Sequence, residues 1–157
     1  MHEIIISKAR RQLCVRQNNR DVFTCRIGLG PCPIGHKRVE GDGRTPVGQY
    51  RVCTRNDRSK YTLFLGLSYP GTSDAQTALL RGDITRAQLQ SIMDAHDAGN
   101  RPPWDTPLGG EIGIHGGGIV QGSGLADSTM GCIALMDEDI YILWELAPME
   151  TPVTIQP

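Results

Sequence analysis

Apolar and polar residues alternate in short runs along most of the chain, the two-residue period of strands that bury one face. Ile4-Ile5-Ile6 opens a first strand and Gln12-Leu13-Cys14-Val15-Arg16 a second, with the basic Lys8-Ala9-Arg10-Arg11 turning between them. Asn18-Asn19 makes the next turn, since Asn tolerates left-handed backbone, and residues 22–27 give a third strand. The opening therefore predicts an antiparallel meander. Between residues 28 and 43, Gly28, Gly30, Pro31, Pro33, Gly35, Gly41 and Gly43 prevent a continuous ladder, so a long loop carrying Lys37 is expected. Alternation returns over residues 47–53. Residues 61–67 are apolar enough for a central strand closed by Tyr69-Pro70-Gly71, and residues 151–156 supply a last strand.

Twice the period changes to that of a helix. Leu89, Ile92, Met93 and His96 recur at helical spacing, with Asp83 as the expected N-cap and Gly99 as the stop. His96 lies at the edge of that apolar stripe and reads as structural. Asp137 is the expected cap of a second helix, followed by Glu138 and Asp139, then Ile140, Leu143, Trp144 and Ala147, with Pro148 ending it. Many short strands and two short helices predict a mainly β fold, a sandwich or partly closed barrel. At 157 residues, a single domain spanning 1–157 has enough chain to bury a core unaided.

Composition removes several function classes. The 16 Lys and Arg against 17 Asp and Glu leave a formal charge of −1, which sets up no field for nucleic acid or anionic lipid. No apolar run approaches the roughly 18 residues of a spanning helix, and Met1-His2-Glu3 leads straight into a strand with no visible export signal. Five cysteines are an odd number, so at least one stays unpaired in a monomer, and Cys132 is the natural remainder. Cys14, Cys25, Cys32 and Cys53 admit three full disulfide pairings in an oxidising compartment, or four reduced thiols; the sequence leaves both open. No Cys-x2-Cys spacing is present, and neither a metal nor a cofactor is expected.

The chemistry-bearing residues lie in two short apolar segments, Ile112-Gly113-Ile114-His115-Gly116 and Ser128-Thr129-Met130-Gly131-Cys132-Ile133-Ala134-Leu135. Alone, a Cys within Gly-Cys-Ile-Ala-Leu is an ordinary core residue, and a strand-end His an ordinary structural one. Together they suggest a thiol enzyme, because a thiol attacks poorly until an imidazole takes its proton. Intervening glycines let the chain fold back to join them. Gly131 leaves the amides of Gly131 and Cys132 open to hold an oxyanion. Cys132 is then expected to be the thiol alkylated fastest near neutral pH. His2 and His36 have no comparable neighbours, and Trp104 either covers a cleft or packs against it.

These residues resemble the L,D-transpeptidase catalytic domain of bacterial cell-wall enzymes, which pairs a strand-end His-Gly with a Ser/Thr-x-Gly-Cys segment. His115-Gly116 and Thr129-Met130-Gly131-Cys132 match, with sixteen residues between His115 and Cys132. The resemblance extends to Gly41-Asp42-Gly43-Arg44-Thr45-Pro46-Val47-Gly48-Gln49-Tyr50, Ser68-Tyr69-Pro70, Thr106-Pro107-Leu108-Gly109-Gly110 and Thr151-Pro152-Val153-Thr154-Ile155, nearly the whole chain. Many members carry His before the Gly-Cys and Arg or Asn two residues after it. Met130 and Ala134 here resemble a branch with both cross-linking and cleaving members.

The resemblance implies Cys132 as nucleophile, His115 as general base, the Gly116 carbonyl orienting the ring, and Thr129, Met130 and Gly131 against the substrate. It implies peptidoglycan stem peptides as substrate, carbapenem-type β-lactams as inhibitors, and a place in the periplasm or cell envelope. The activity it implies is L,D-transpeptidation. The alternatives are hydrolysis as an L,D-carboxypeptidase or amidase, and a non-catalytic cell-wall-binding domain.

Overall fold

The structure is a computed structural model describing residues 1–157. Strands β1 (His2–Ser7), β2 (Gln12–Gln17) and β3 (Arg20–Arg26) form the expected antiparallel meander. Its tight turns take Arg11, Asn18 and Asn19 into the left-handed region, at φ 49°, 51° and 61°. After the long loop come β4 (Gly48–Ser59), β5 (Thr62–Leu67), β6 (Gly113–His115), the small hairpin β7 (Val120–Gln121) and β8 (Gly124–Leu125), β9 (Ile133–Ala134) and β10 (Pro152–Gln156).

Eight of these make one sheet in the order β3-β2-β1-β10-β4-β5-β6-β9. The last strand enters the middle, parallel to β1 and antiparallel to β4. The sheet's two ends then meet. Gly28, just past β3, exchanges both backbone hydrogen bonds with Ala134 of β9, each at 2.9 Å. Of the two architectures predicted, the partly closed barrel is therefore the one adopted, since closure satisfies edge amides and carbonyls that a sandwich would leave open. Inward positions of the alternating strands, among them Ile4, Ile6, Leu13, Val15, Leu65, Leu67, Ile114 and Ile133, are fully buried.

Three helices form, one more than the sequence predicts: α1 (Thr72–Arg81), α2 (Arg86–Asp97) and α3 (Asp137–Leu146). α1 escapes a periodicity argument because its buried residues are only Ala75 and Ala78, while Leu80 is 89% exposed. Two caps differ from expectation. Thr85 caps α2, its Oγ1 accepting from the Gln88 amide at 3.1 Å while Gln88 Oε1 accepts from the Thr85 amide at 2.9 Å, a reciprocal capping box. Asp83 instead pairs with Arg81 at 2.8 Å. Met136 is the N-cap of α3 and Asp137 its first residue.

All five cysteines are free, with Cys14, Cys25 and Cys53 buried and Cys32 exposed. His96 is structural, its Nε2 2.8 Å from the Pro70 carbonyl. No helix is long and apolar enough to cross a membrane.

Candidate active site

His115 ends β6, and Cys132 immediately precedes β9. These strands run parallel with Ile114 opposite Ile133 and His115 opposite Ala134. Side chains alternate across a sheet, so Cys132, two residues before Ala134, falls on the face of His115 one diagonal step away. The sixteen-residue separation in sequence thus closes to adjacent strands. The Gly113 backbone lies beside the thiol.

The imidazole is 5% exposed and its tautomer is fixed. Nδ1 lies 2.7 Å from the Gly116 carbonyl, which can only accept, so Nδ1 carries the proton and Nε2 presents a lone pair. The Tyr61 ring stacks on it at 4.4 Å between centroids and 23° between planes. Asp137 holds the same turn from outside, Oδ1 accepting from Thr62 Oγ1 and from the Gly117 amide, both at 2.8 Å. Thr62 adopts φ 77°, an unusual left-handed conformation for a β-branched residue. A Cβ on Gly116 would stand 2.6 Å from Asp137 Oδ1 and 2.9 Å from the Tyr61 carbonyl, so the orienting carbonyl needs glycine.

If Asp137 sets that carbonyl, Asp137→Ala should lower turnover about tenfold, whereas Asp137→Asn, which keeps an oxygen acceptor, should retain most of it. The Nδ1 proton resonance of His115 checks the cause: it should persist in Asp137→Asn and broaden or shift in Asp137→Ala. An unchanged resonance in both would remove Asp137 from the site.

The cysteine loop is held from several sides. Thr129 Oγ1 donates to the Cys132 carbonyl at 2.8 Å and accepts from the Gly131 amide at 3.2 Å. Thr45 Oγ1 donates to the Gly131 carbonyl at 2.7 Å. The Lys8 ammonium, 2% exposed, donates to the Thr45 and Gly35 carbonyls, both at 2.7 Å. Gly131 has φ 130°, and a Cβ there would sit 2.7 Å from the Arg44 carbonyl, so the turn before the sulfur excludes other residues. The Gly131 amide is already engaged by Thr129, whereas the Cys132 amide has no backbone or side-chain partner. The Thr129 hydroxyl is bonded within its own loop.

Beside the sulfur lies a cleft of about 190 Å³ lined by Lys37, Glu40, Glu111, Ile112, Met130 and Cys132. Met130 is 80% exposed at its rim. The thiol of Cys132 donates to the Glu111 carbonyl at 3.2 Å. Trp104 lies behind this cleft, its Nε1 donating to the Tyr69 carbonyl at 3.1 Å, so of its two expected roles packing is the one observed. No group of three or more His, Cys, Asp or Glu is placed to hold a metal.

Burial pushes the Cys132 thiol up to about 11, against the opposing pull of the Gly113 hydrogen bond and the Lys37 charge. Burial also lowers His115 below its ordinary 6.5, against the Gly116 hydrogen bond. Both shifts favour neutral forms. Near pH 7 the pair rests as thiol and imidazole. Rapid alkylation unique to Cys132 is therefore not expected, since Cys32 is the exposed thiol.

Tyr61, Thr62, Asp137, Lys37 and Glu111 were not singled out as site residues from sequence. Only Asp137, adjoining the Cys132 segment and read as a cap, carried a positional signal.

No curated protein matches the chain. Among solved structures it is similar to the helical cell shape determining protein Pgp2 from Campylobacter jejuni, at 22% identity and TM-score 0.66, over 98% of this chain and 46% of that one. It is also similar to an L,D-transpeptidase from Mycobacterium tuberculosis H37Rv, at 14% identity and TM-score 0.54, over 99% and 57%. A third is the Ldtfm-avibactam carbamoyl enzyme, at 12% identity and TM-score 0.59, over 99% and 49%. The chain spans about half the length of each, and these likenesses concern the fold. The sequence profile of the L,D-transpeptidase catalytic domain matches residues 1–155, and the chain belongs to that family.

Proposed function

We propose that the protein is a peptidoglycan-modifying cysteine acyltransferase, an L,D-transpeptidase acting through a Cys132 thioester. What supports this is the His115 ring, its Nδ1 bonded to the Gly116 carbonyl so that Nε2 is free, at the end of a strand paired with the one that Cys132 immediately precedes. A stem-peptide carbonyl following an L-centre enters the cleft. Sγ attacks its carbon as the thiol proton passes to Nε2, and the Cys132 amide receives the oxyanion. His115 then returns that proton to the departing amine of the terminal D-residue as the carbon–nitrogen bond breaks and the thioester forms. An incoming amine gives its proton to Nε2 as it attacks the thioester, and the thiol is regenerated when the imidazolium protonates the leaving sulfur. The Gly116 carbonyl stabilises each transient imidazolium, as the third member of a triad does.

The exposed Met130 rim leaves the thioester open to water, which supports hydrolysis, as an L,D-carboxypeptidase or amidase, as the second reading. A peptidoglycan substrate places the protein in the periplasm or cell envelope. Mass analysis after incubation with muropeptides separates the readings: cross-linked product supports transfer and shortened product hydrolysis. No product at all would leave a cell-wall-binding domain.

A further inference from the structure

A second cavity, of about 210 Å³, adjoins the catalytic cleft and shares Lys37 with it. The two differ in charge. Glu40 and Glu111 stand beside Cys132 in the cleft, so a carboxylate close to the sulfur meets like charges. His36, Lys37, Arg38 and Arg81 line the neighbouring cavity, with the hydroxyls of Ser73 and Thr77 on the same face of α1 as Arg81.

Its cations are available. Arg38 engages Asp42 only through its backbone amide, at 2.8 Å, and its side chain is exposed. Arg81 is held by Asp83 through Nε alone, at 2.8 Å, leaving its terminal nitrogens. Lys37 is 3% exposed and donates to Asp42 Oδ1 at 3.0 Å and the Val39 carbonyl at 3.2 Å, so one of its three ammonium protons has no partner. The one carboxylate in the lining is already occupied. Asp74 accepts from Tyr50 Oη, from the Gly71 amide and from His36 Nε2, each at 2.8 Å. His36 Nδ1 accepts from the Val47 amide at 2.8 Å, which leaves Nε2 as the ring's donor.

We propose that this basic cavity is a carboxylate subsite, holding a free carboxylate of the stem peptide while the scissile carbonyl lies at Cys132. The inference rests on the substrate class proposed above. Guanidinium groups suit it because their paired N–H donors match a carboxylate's two oxygens, and the desolvated Lys37, which lines both cavities, adds its charge. The carboxylate belongs either to the terminal D-residue or to a side branch within the stem.

The test measures calorimetric binding of three peptides to the Cys132→Ala protein: a stem tetrapeptide ending in a D-residue, its C-terminal amide, and the same peptide amidated at its internal carboxyl group. One amide should bind at least about tenfold more weakly than the free acid, and that arm names the carboxylate held. The penalty should vanish in the Cys132→Ala protein carrying Arg38→Gln and Arg81→Gln. Equal binding of all three peptides, or a penalty that survives both substitutions, overturns the subsite. If no peptide binds while a carbapenem still acylates Cys132 in the unsubstituted protein, the subsite falls and the acyltransferase reading stands. Absence of both acylation and turnover strikes that reading instead.

Discussion

Replacing Cys132 by alanine is expected to reduce muropeptide turnover to background, and His115→Ala to reduce it roughly a thousandfold or more. The second figure follows from what a positioned general acid–base supplies, about 10²–10⁴-fold, in a site whose nucleophile rests protonated. With the thiol pushed up to about 11, sulfur without His115 has little thiolate near pH 7. The double variant should be scarcely worse than Cys132→Ala, because the two groups act as one unit. His96→Ala is the contrast, since its ring ties α2 to Pro70 and touches no reacting atom. That variant should keep its activity and lose only about 1 kcal/mol of stability. Product analysis by mass spectrometry, alongside thermal unfolding of each variant, checks all four. Full activity in folded His115→Ala would require another base and would end the assignment.

A carbapenem should form a single covalent adduct on the intact protein, located to the peptide containing Gly131-Cys132 and absent from Cys132→Ser. The strained carbonyl presents the same electrophile as the peptide, and ring opening replaces departure of an amine. The acylation rate should carry the signature of the base. Because His115 is held below 6.5, its neutral form persists as the solution becomes mildly acidic, and the rate should fall only as pH drops through that lowered value. In His115→Ala the acid limb should disappear, leaving a slow rate that climbs with pH toward about 11 as thiolate accumulates. An adduct on the exposed Cys32 in place of Cys132, or a wild-type profile that keeps rising through neutrality like the alanine variant's, would contradict the neutral thiol–imidazole pair.

The strands were legible in the sequence because burial on one face writes a two-residue period, as residues 12–16 show, and burial on both faces an apolar run, as residues 61–67 show. α1 was not, because Ala75 and Ala78 pack as well as larger residues while leaving almost no hydrophobic contrast. The candidate nucleophile and base were legible because Cys and His are few and stand beside glycines. Their supports were not, since Thr45, Tyr61, Thr62 and Asp137 act through contacts between segments far apart in sequence. Asp137 illustrates the limit. At the head of a helix an acidic residue already has a local explanation in the helix dipole, and that explanation conceals its hydrogen bonds to Thr62 and Gly117.

Strand β10 lies between β1 and β4, so residues 152–156 link the N-terminal meander to the strands that carry His115 through the middle of the sheet, as Gly28 and Ala134 do at its ends. During synthesis the meander can form early, but the free edge of β1 has no partner until those residues leave the ribosome. Assembly of the barrel therefore waits for contacts of very long sequence separation, the slow kind. Until then the edges of β1 and β4 stay unpaired, and incomplete chains expose two open strands to each other and to chaperones.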